Sequence, residues 1–137
     1  MEIFRAGSRP SAVGPSTYFT GRVRMDPVVT AEAPSSVSSL VVTFETGART
    51  FWHTHPLGQV IHVLSGVGLA QTEGGPIRVI RPGDTVRFAP GARHWHGASP
   101  DTAMVHLAFQ EAKDGSAVTW MDEVSEEDYR AHPQIEH

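Results

Sequence analysis

A chain of 137 residues has material for one ordinary hydrophobic core and too little for two, so a single domain spanning 1–137 is expected. A formal net charge of −4, with both signs scattered along the chain, argues against a nucleic-acid partner. No segment approaches the roughly 18 apolar residues of a membrane span, Met1 to Ser11 offers no signal-peptide core, and there is no cysteine; a cytoplasmic protein is expected, in which any metal is held by nitrogen and oxygen.

Glycine and proline, 13 and 10 residues, cut the chain into short segments and disfavour long helices. Residues 1–35 read as an irregular arm punctuated by Pro10, Pro15, Pro27 and Pro34, with one strand-like run from Thr17 to Met25. Leu40 to Phe44 is β-rich and ends at Thr46-Gly47. Thr50 to His55 reads as a strand stopped by Pro56-Leu57-Gly58, and Gln59 to Leu64 as the next, closed by Ser65-Gly66. Val67 to Thr72 and Ile77 to Ile80 flank Glu73-Gly74-Gly75-Pro76, a hairpin signal because glycine tolerates positive φ. Turns at Arg81-Pro82-Gly83-Asp84 and Ala89-Pro90-Gly91 bracket Thr85 to Phe88, and His94 to Gly97 and Ala103 to Gln110 complete the strands. About eight short strands imply an all-β closed barrel or jelly roll, which hides its strand edges. Ser125 can cap a short C-terminal helix with Glu126, Glu127 and Asp128 in its first turn, and from about His132 the chain is expected to fray.

Side chains two apart on a strand share a face, so His53 and His55 project together, and His94 and His96 repeat the arrangement. The tight turn at 56–58 lets the chain return antiparallel and brings the Gln59 amide oxygen near the first pair. One such pair could decorate a surface; two, each beside a tight turn, point to a metal. On the last strand Met104, His106, Ala108 and Gln110 alternate with Val105, Leu107 and Phe109, so the first set faces the cavity. Leu40, Val42, Met104 and Ala108 would then supply apolar walls, with Leu40 restricting bulky substrates. His106 is a candidate general base, a hydrogen-bonded barrel histidine being the competing reading.

Gly47 to His55, followed by Gln59 and Gly66, resembles the first cupin motif, which runs Gly, five residues, His-x-His, three or four residues, Glu, six residues, Gly. Arg81-Pro82-Gly83-Asp84 with Pro90 to His94 resembles the second. The resemblance covers about residues 40–110 and implies a cupin, a double-stranded β-helix or jelly-roll barrel, with His53, His55, Gln59 and His94 as metal ligands. Glutamine replaces the usual glutamate at Gln59, which makes every protein ligand neutral, leaves the ion a stronger Lewis acid, and holds it with less charge.

Over its whole length the chain is similar to the small bacterial cupin hydroxynitrile lyases, which are manganese-dependent. Met1-Glu2-Ile3, Tyr18-Phe19-Thr20-Gly21, Gly47 to Gln59, His94-Trp95-His96-Gly97-Ala98 and Trp120-Met121 carry that likeness, and Gln59 itself matches the group. It implies a lyase that reversibly splits a cyanohydrin such as mandelonitrile into an aldehyde and cyanide. Mn2+ is the implied ion, with Fe2+, Ni2+ and Zn2+ as alternatives. His106 would exchange the proton, Gln110 would hydrogen-bond the nitrile, and His96 and Thr50 would orient the substrate. A homodimer or homotetramer is expected, with His62 on an outer sheet face. An iron-dependent dioxygenase or a non-catalytic small-molecule-binding cupin would use the same cavity, whereas a sugar-modifying isomerase would want a more polar one.

Overall fold

The closely spaced turns produce short antiparallel strands. The structure is a computed structural model in which residues 1–136 are described; the strands in it are β1 (Ala12–Val13), β2 (Phe19–Thr20), β3 (Val23–Val29), β4 (Val37–Phe44), β5 (Arg49–Thr50), β6 (His53–Thr54), β7 (Gln59–Gly66), β8 (Gly68–Thr72), β9 (Arg78–Ile80), β10 (Thr85–Phe88), β11 (His94–Ala98), β12 (Met104–Glu111) and β13 (Thr119–Trp120). A single helical turn, α1 (Glu126–Tyr129), follows. One sheet has the order β1-β3-β4-β12-β7-β10, and the other β13-β6-β11-β5-β2, with β8 on β11 and β9 on β8. Every strand pairing is antiparallel.

The alternation on each strand sorts core from surface. On β7, Gln59, Ile61 and Val63 are buried while Leu64 is exposed. Phe19, Val42, Phe44, Ile61, Phe88 and Met104 belong to the main apolar cluster. Burying each such side chain stabilises the fold by about 1.5–3 kcal/mol. A second cluster, with Trp52, Leu69, Trp95, Val124 and Tyr129, lies under the C-terminal segment. Two glycines let backbones approach. Gly66 has φ of +80°, and a Cβ there would sit 1.8 Å from the Ala103 carbonyl oxygen. At Gly97, paired with Arg49, a Cβ would lie 2.4 Å from the Ala48 carbonyl oxygen.

Two expectations from the sequence are corrected. The N-terminal arm is less irregular than its prolines suggest, because β3 is a full member of the first sheet, between β1 and β4. Pro27 is tolerated at a register shift between Pro27 and Val29, where the ladder is already interrupted and a missing N–H costs little. Residues 135 and 136 are also tied down, His137 lying outside the described residues: Ile135 packs against the second cluster and Arg81 Nη2 donates to the Glu136 carbonyl at 2.6 Å.

The helical turn forms as its cap predicts, with the Asp128 N–H donating to Ser125 Oγ at 3.1 Å. It is fastened to the second sheet by Tyr129, whose hydroxyl donates to the Ala98 carbonyl at 2.6 Å and whose ring lies 4.2 Å from the Arg49 guanidinium carbon. Arg49 is buried, and its Nη2 donates to the Val124 carbonyl at 3.0 Å. No described helix is long and apolar enough to cross a membrane.

Candidate metal centre and cavity

Register assembles the site from both sheets. His94 stands opposite His53 across β11 and β6, and Gln59 opposite Gln110 across β7 and β12. His53, His55, Gln59, His94, His96 and His106 are all buried. One ring nitrogen each from His53, His94 and His96 lie within 4.8 Å of one another, close enough to hold one ion. His55 stands beside this trio, its ring centroid 5.0 Å from that of His53.

Hydrogen bonding separates these rings by role. His53 Nδ1 faces the Phe51 carbonyl at 2.9 Å, His55 Nδ1 the Ala117 carbonyl at 2.6 Å, and His94 Nδ1 the Ala92 carbonyl at 2.8 Å. A carbonyl only accepts, so each Nδ1 carries the hydrogen and each Nε2 of these neutral rings is left with a bare lone pair. Backbone carbonyls behind ligating imidazoles fix tautomers in this way at metal sites. The Phe88 ring, stacked 3.8 Å from that of His94, holds one of them in place.

Gln59 adds an oxygen. Its Nε2 donates to Gln110 Oε1 at 3.2 Å, while Gln110 Nε2 donates to the Ser38 carbonyl and hydroxyl at 3.2 and 2.9 Å, which fixes the orientation of both amides. Gln59 Oε1 is therefore turned toward the histidines, 3.1 Å from His94 Nε2. Two lone pairs facing one another at that distance repel unless a cation lies between them. His55 Nε2 is buried with no hydrogen-bond partner among the described residues. The donor set of His53, His55, His94 and Gln59 thus has the chemistry of a divalent-metal site, three imidazole nitrogens and one amide oxygen, all neutral.

His96, which proximity groups with His53 and His94, has different hydrogen-bond partners. Its Nδ1 faces His106 Nε2 at 3.0 Å rather than a carbonyl, and its Nε2 lies 3.1 Å from Gln59 Oε1. When His96 donates from Nε2 to the amide oxygen, its Nδ1 accepts from His106, and the two rings form a chain along which a proton can shift. His106 Nδ1, at the end of that chain, is buried without a hydrogen-bond partner among the described residues. The His96 N–H donates to Thr50 Oγ1 at 3.2 Å, which leaves the threonine hydroxyl hydrogen free to point at a ligand.

All five imidazoles are held neutral. Burial brings His94 and His106 down to about 4. It also lowers His55, and it drives His53 and His96 well below the ordinary histidine range, helped by their neighbours His94 and His106 respectively.

His53, His55, Gln59, His96 and His106, with Thr50 and Gln110, line a cavity of about 150 Å3 whose remaining walls are apolar, with Phe19, Leu40, Val42, Phe44, Ala108 and Trp120 among them; His94 is not part of that lining. Three roomier pockets, of about 520, 600 and 580 Å3, have no histidine in their lining. Of the residues expected from sequence, Leu40, Val42, Thr50, His96, His106, Ala108 and Gln110 line the cavity. Met104 does not. It shares their face of β12 but is fully buried where Gly68 makes room for it: a Cβ on Gly68 would lie 2.8 Å from the Met104 side chain. Gln110 also departs from expectation, because both its amide hydrogens are engaged by Ser38 and it holds Gln59 rather than offering a donor to a nitrile. Sequence reasoning missed Phe19, Met25, Phe44, Ala117, Val118 and Trp120 in the lining. Tyr18-Phe19 and Trp120-Met121 stood out only as segments of family likeness.

The cupin domain family matches residues 40–109, the stretch holding Thr50, the five buried histidines of the centre and Gln59. The chain belongs to the cupin family. It is 58% identical over 130 residues to an (R)-mandelonitrile lyase of Granulicella tundricola, a match covering 95% of this chain and 99% of that one. Among solved structures, a cupin-like protein from Thermotoga maritima is 40% identical with a TM-score of 0.84, covering 96% of this cupin and 98% of that chain. A cupin-2 domain protein from Rhodospirillum rubrum superimposes with a TM-score of 0.71 at 15% identity, over 94% of this chain and 84% of that one, a likeness of fold alone.

Proposed function

We propose that this cupin is a metal-dependent hydroxynitrile lyase, converting mandelonitrile-like cyanohydrins reversibly to an aldehyde and hydrogen cyanide. Its likeness to an (R)-mandelonitrile lyase extends over nearly the whole chain. The observation that carries the reading is the meeting of a neutral lone-pair cluster with an apolar cavity of about 150 Å3. An apolar cavity of that order accommodates benzene, so one aromatic ring fits beside the polar wall.

His53, His55, Gln59 and His94 would hold the ion. We assign Mn2+, a set of three imidazoles and an amide being equally compatible with Fe2+, Ni2+ or Zn2+. When bound, the ion supplies Lewis-acid stabilisation of negative charge on the substrate oxygen. The protein's own groups move the proton. In cleavage the hydroxyl proton passes to the His96–His106 pair, the carbon–nitrile bond breaks with its electron pair leaving on cyanide, and the oxygen becomes the aldehyde carbonyl. The pair then returns the proton to cyanide, and burial favours that return because it disfavours a charged imidazole. The Thr50 hydroxyl is the donor available to orient the substrate, and Leu40, Val42 and Ala108 pack against its substituent.

We also infer self-association through the outer face of the first sheet, where Leu64 and Phe109 are exposed, giving a homodimer or homotetramer. Sedimentation of the protein and of Phe109→Glu checks this: an association that survives the charge uses a different face.

The deciding experiment is mandelonitrile cleavage with metal content determined on the same preparation. Benzaldehyde release that requires added manganese and disappears in His53→Ala supports the lyase. No release from fully metallated protein overturns it in favour of an oxygen-dependent or purely binding cupin.

A further inference from the structure

The cavity is completed by residues from outside the cupin-matched stretch of 40–109. Phe19 and Met25 come from the N-terminal strands, and Ala117, Val118 and Trp120 from the segment after β12. The barrel proper supplies the polar wall and one apolar side, so the two arms supply the roof.

The arms are not equally yielding. Trp120 is fixed three ways: it pairs with His53 across β13 and β6, it stacks on Tyr18 with ring centroids 4.7 Å apart, and it packs on Phe19 at 5.6 Å. Val118 follows directly on Ala117, whose carbonyl accepts the His55 Nδ1 hydrogen at 2.6 Å. Lifting this segment to admit a larger substituent would break the contact that fixes a ligand histidine. Met25, opposite Val42 on β4, is half-buried and carries an unbranched thioether that can re-pack.

We propose that Met25, Val118 and Trp120 form the specificity-determining roof of the site, with Val118 and Trp120 as the rigid limit on the substituent at the reacting carbon and Met25 as its adjustable part. The inference rests on the lyase reading for the identity of the substrate, but not for the shape of the cavity. Filling the roof from Val118 should exclude an aryl group and spare a methyl group, because an apolar wall discriminates by volume.

Val118→Phe and Val118→Ala test it in two assays. The first is binding of benzyl alcohol to metal-free protein, followed by NMR titration. The second is turnover of mandelonitrile, acetaldehyde cyanohydrin and 2-naphthaldehyde cyanohydrin by metal-loaded protein. Val118→Phe should weaken benzyl alcohol binding and raise the mandelonitrile KM by about tenfold, with acetaldehyde cyanohydrin little changed. Val118→Ala should admit the naphthyl substrate. Unchanged benzyl alcohol affinity and unchanged substrate ratios in Val118→Phe overturn the roof and leave the lyase standing. Loss of benzyl alcohol binding in Val118→Phe, with no cyanohydrin turned over by the parent protein, supports the roof and overturns the lyase. A parent protein that binds no benzyl alcohol overturns the roof whatever it turns over. Should Val118→Phe fail to fold, Met25→Phe fills the cavity from the other arm and is read by the same outcomes.

Discussion

Gln59 and Gln110 face one another across β7 and β12, and the Gln59 Nε2 hydrogen donates to Gln110 Oε1 at 3.2 Å. This single bond decides which end of the Gln59 amide looks at the histidines. Replacing Gln110 by Ala removes the constraint and lets the amide rotate. Manganese affinity should fall by about 10–100-fold, the usual cost of losing a partner behind a metal ligand, as read by titration of the metal-free protein. Unchanged affinity would mean that Gln59 is oriented by something else.

His106 ends the proton chain and touches no group assigned to the ion. His106→Ala should retain metal and lose about 100-fold or more in kcat for mandelonitrile, within the range of a lost general acid–base group. Metal analysis and turnover on one sample check this, and full turnover with metal retained would remove His106 from the chemistry.

The buried imidazoles make the metal-free protein acid-sensitive. His94 and His106 titrate at about 4 in the folded state, against about 6.5 when unfolded. Above the unfolded value both states are neutral and stability is at its full level. Between the two values the unfolded chain takes up protons that the folded one refuses, so stability falls as pH falls, by about 1.4 kcal/mol per pH unit for each group. Thermal unfolding of stripped protein at a series of pH values from about 7 to 4 should show Tm dropping across this window. A flat Tm would show that the rings are not kept neutral by burial.

Gly97→Ala should disturb the seam between β11 and β5. The added methyl would meet the Ala48 carbonyl oxygen at 2.4 Å and Arg49 Cα at 2.5 Å, both backbone atoms that cannot swing aside. A loss of about 1–3 kcal/mol, seen as a Tm lowered by several degrees, is the expected cost of overpacking. An unaltered Tm would show that the two strands can separate freely.

The barrel and its metal-capable face were legible because both rest on local rules. Alternation gave the shared faces of His53 with His55 and of His106 with Ala108, and turn residues marked the strand ends. What was not legible depends on contacts between distant segments. The engagement of Gln110 by Ser38 follows from the β4–β12 register. Met104 was misplaced because alternation gives the face of a residue but not its depth along the barrel. Trp120 lies on a two-residue strand whose existence is decided by its partner β6, and nothing in the sequence around it announces the pairing. Pro27 misled in the opposite direction, since a bulge can absorb a missing donor.

The cross-strand row of Trp120, His53 and His94 has a consequence for how mutations are tolerated over generations. A slip of one residue along β11 would turn His94 and His96 away from the cavity together. Only the correctly aligned barrel then offers an ion its full set of donors, and by mass action a bound ion favours that alignment over its competitors. Substitutions that loosen the barrel can therefore accumulate unseen while metal is plentiful, and their effects would surface together when it becomes scarce.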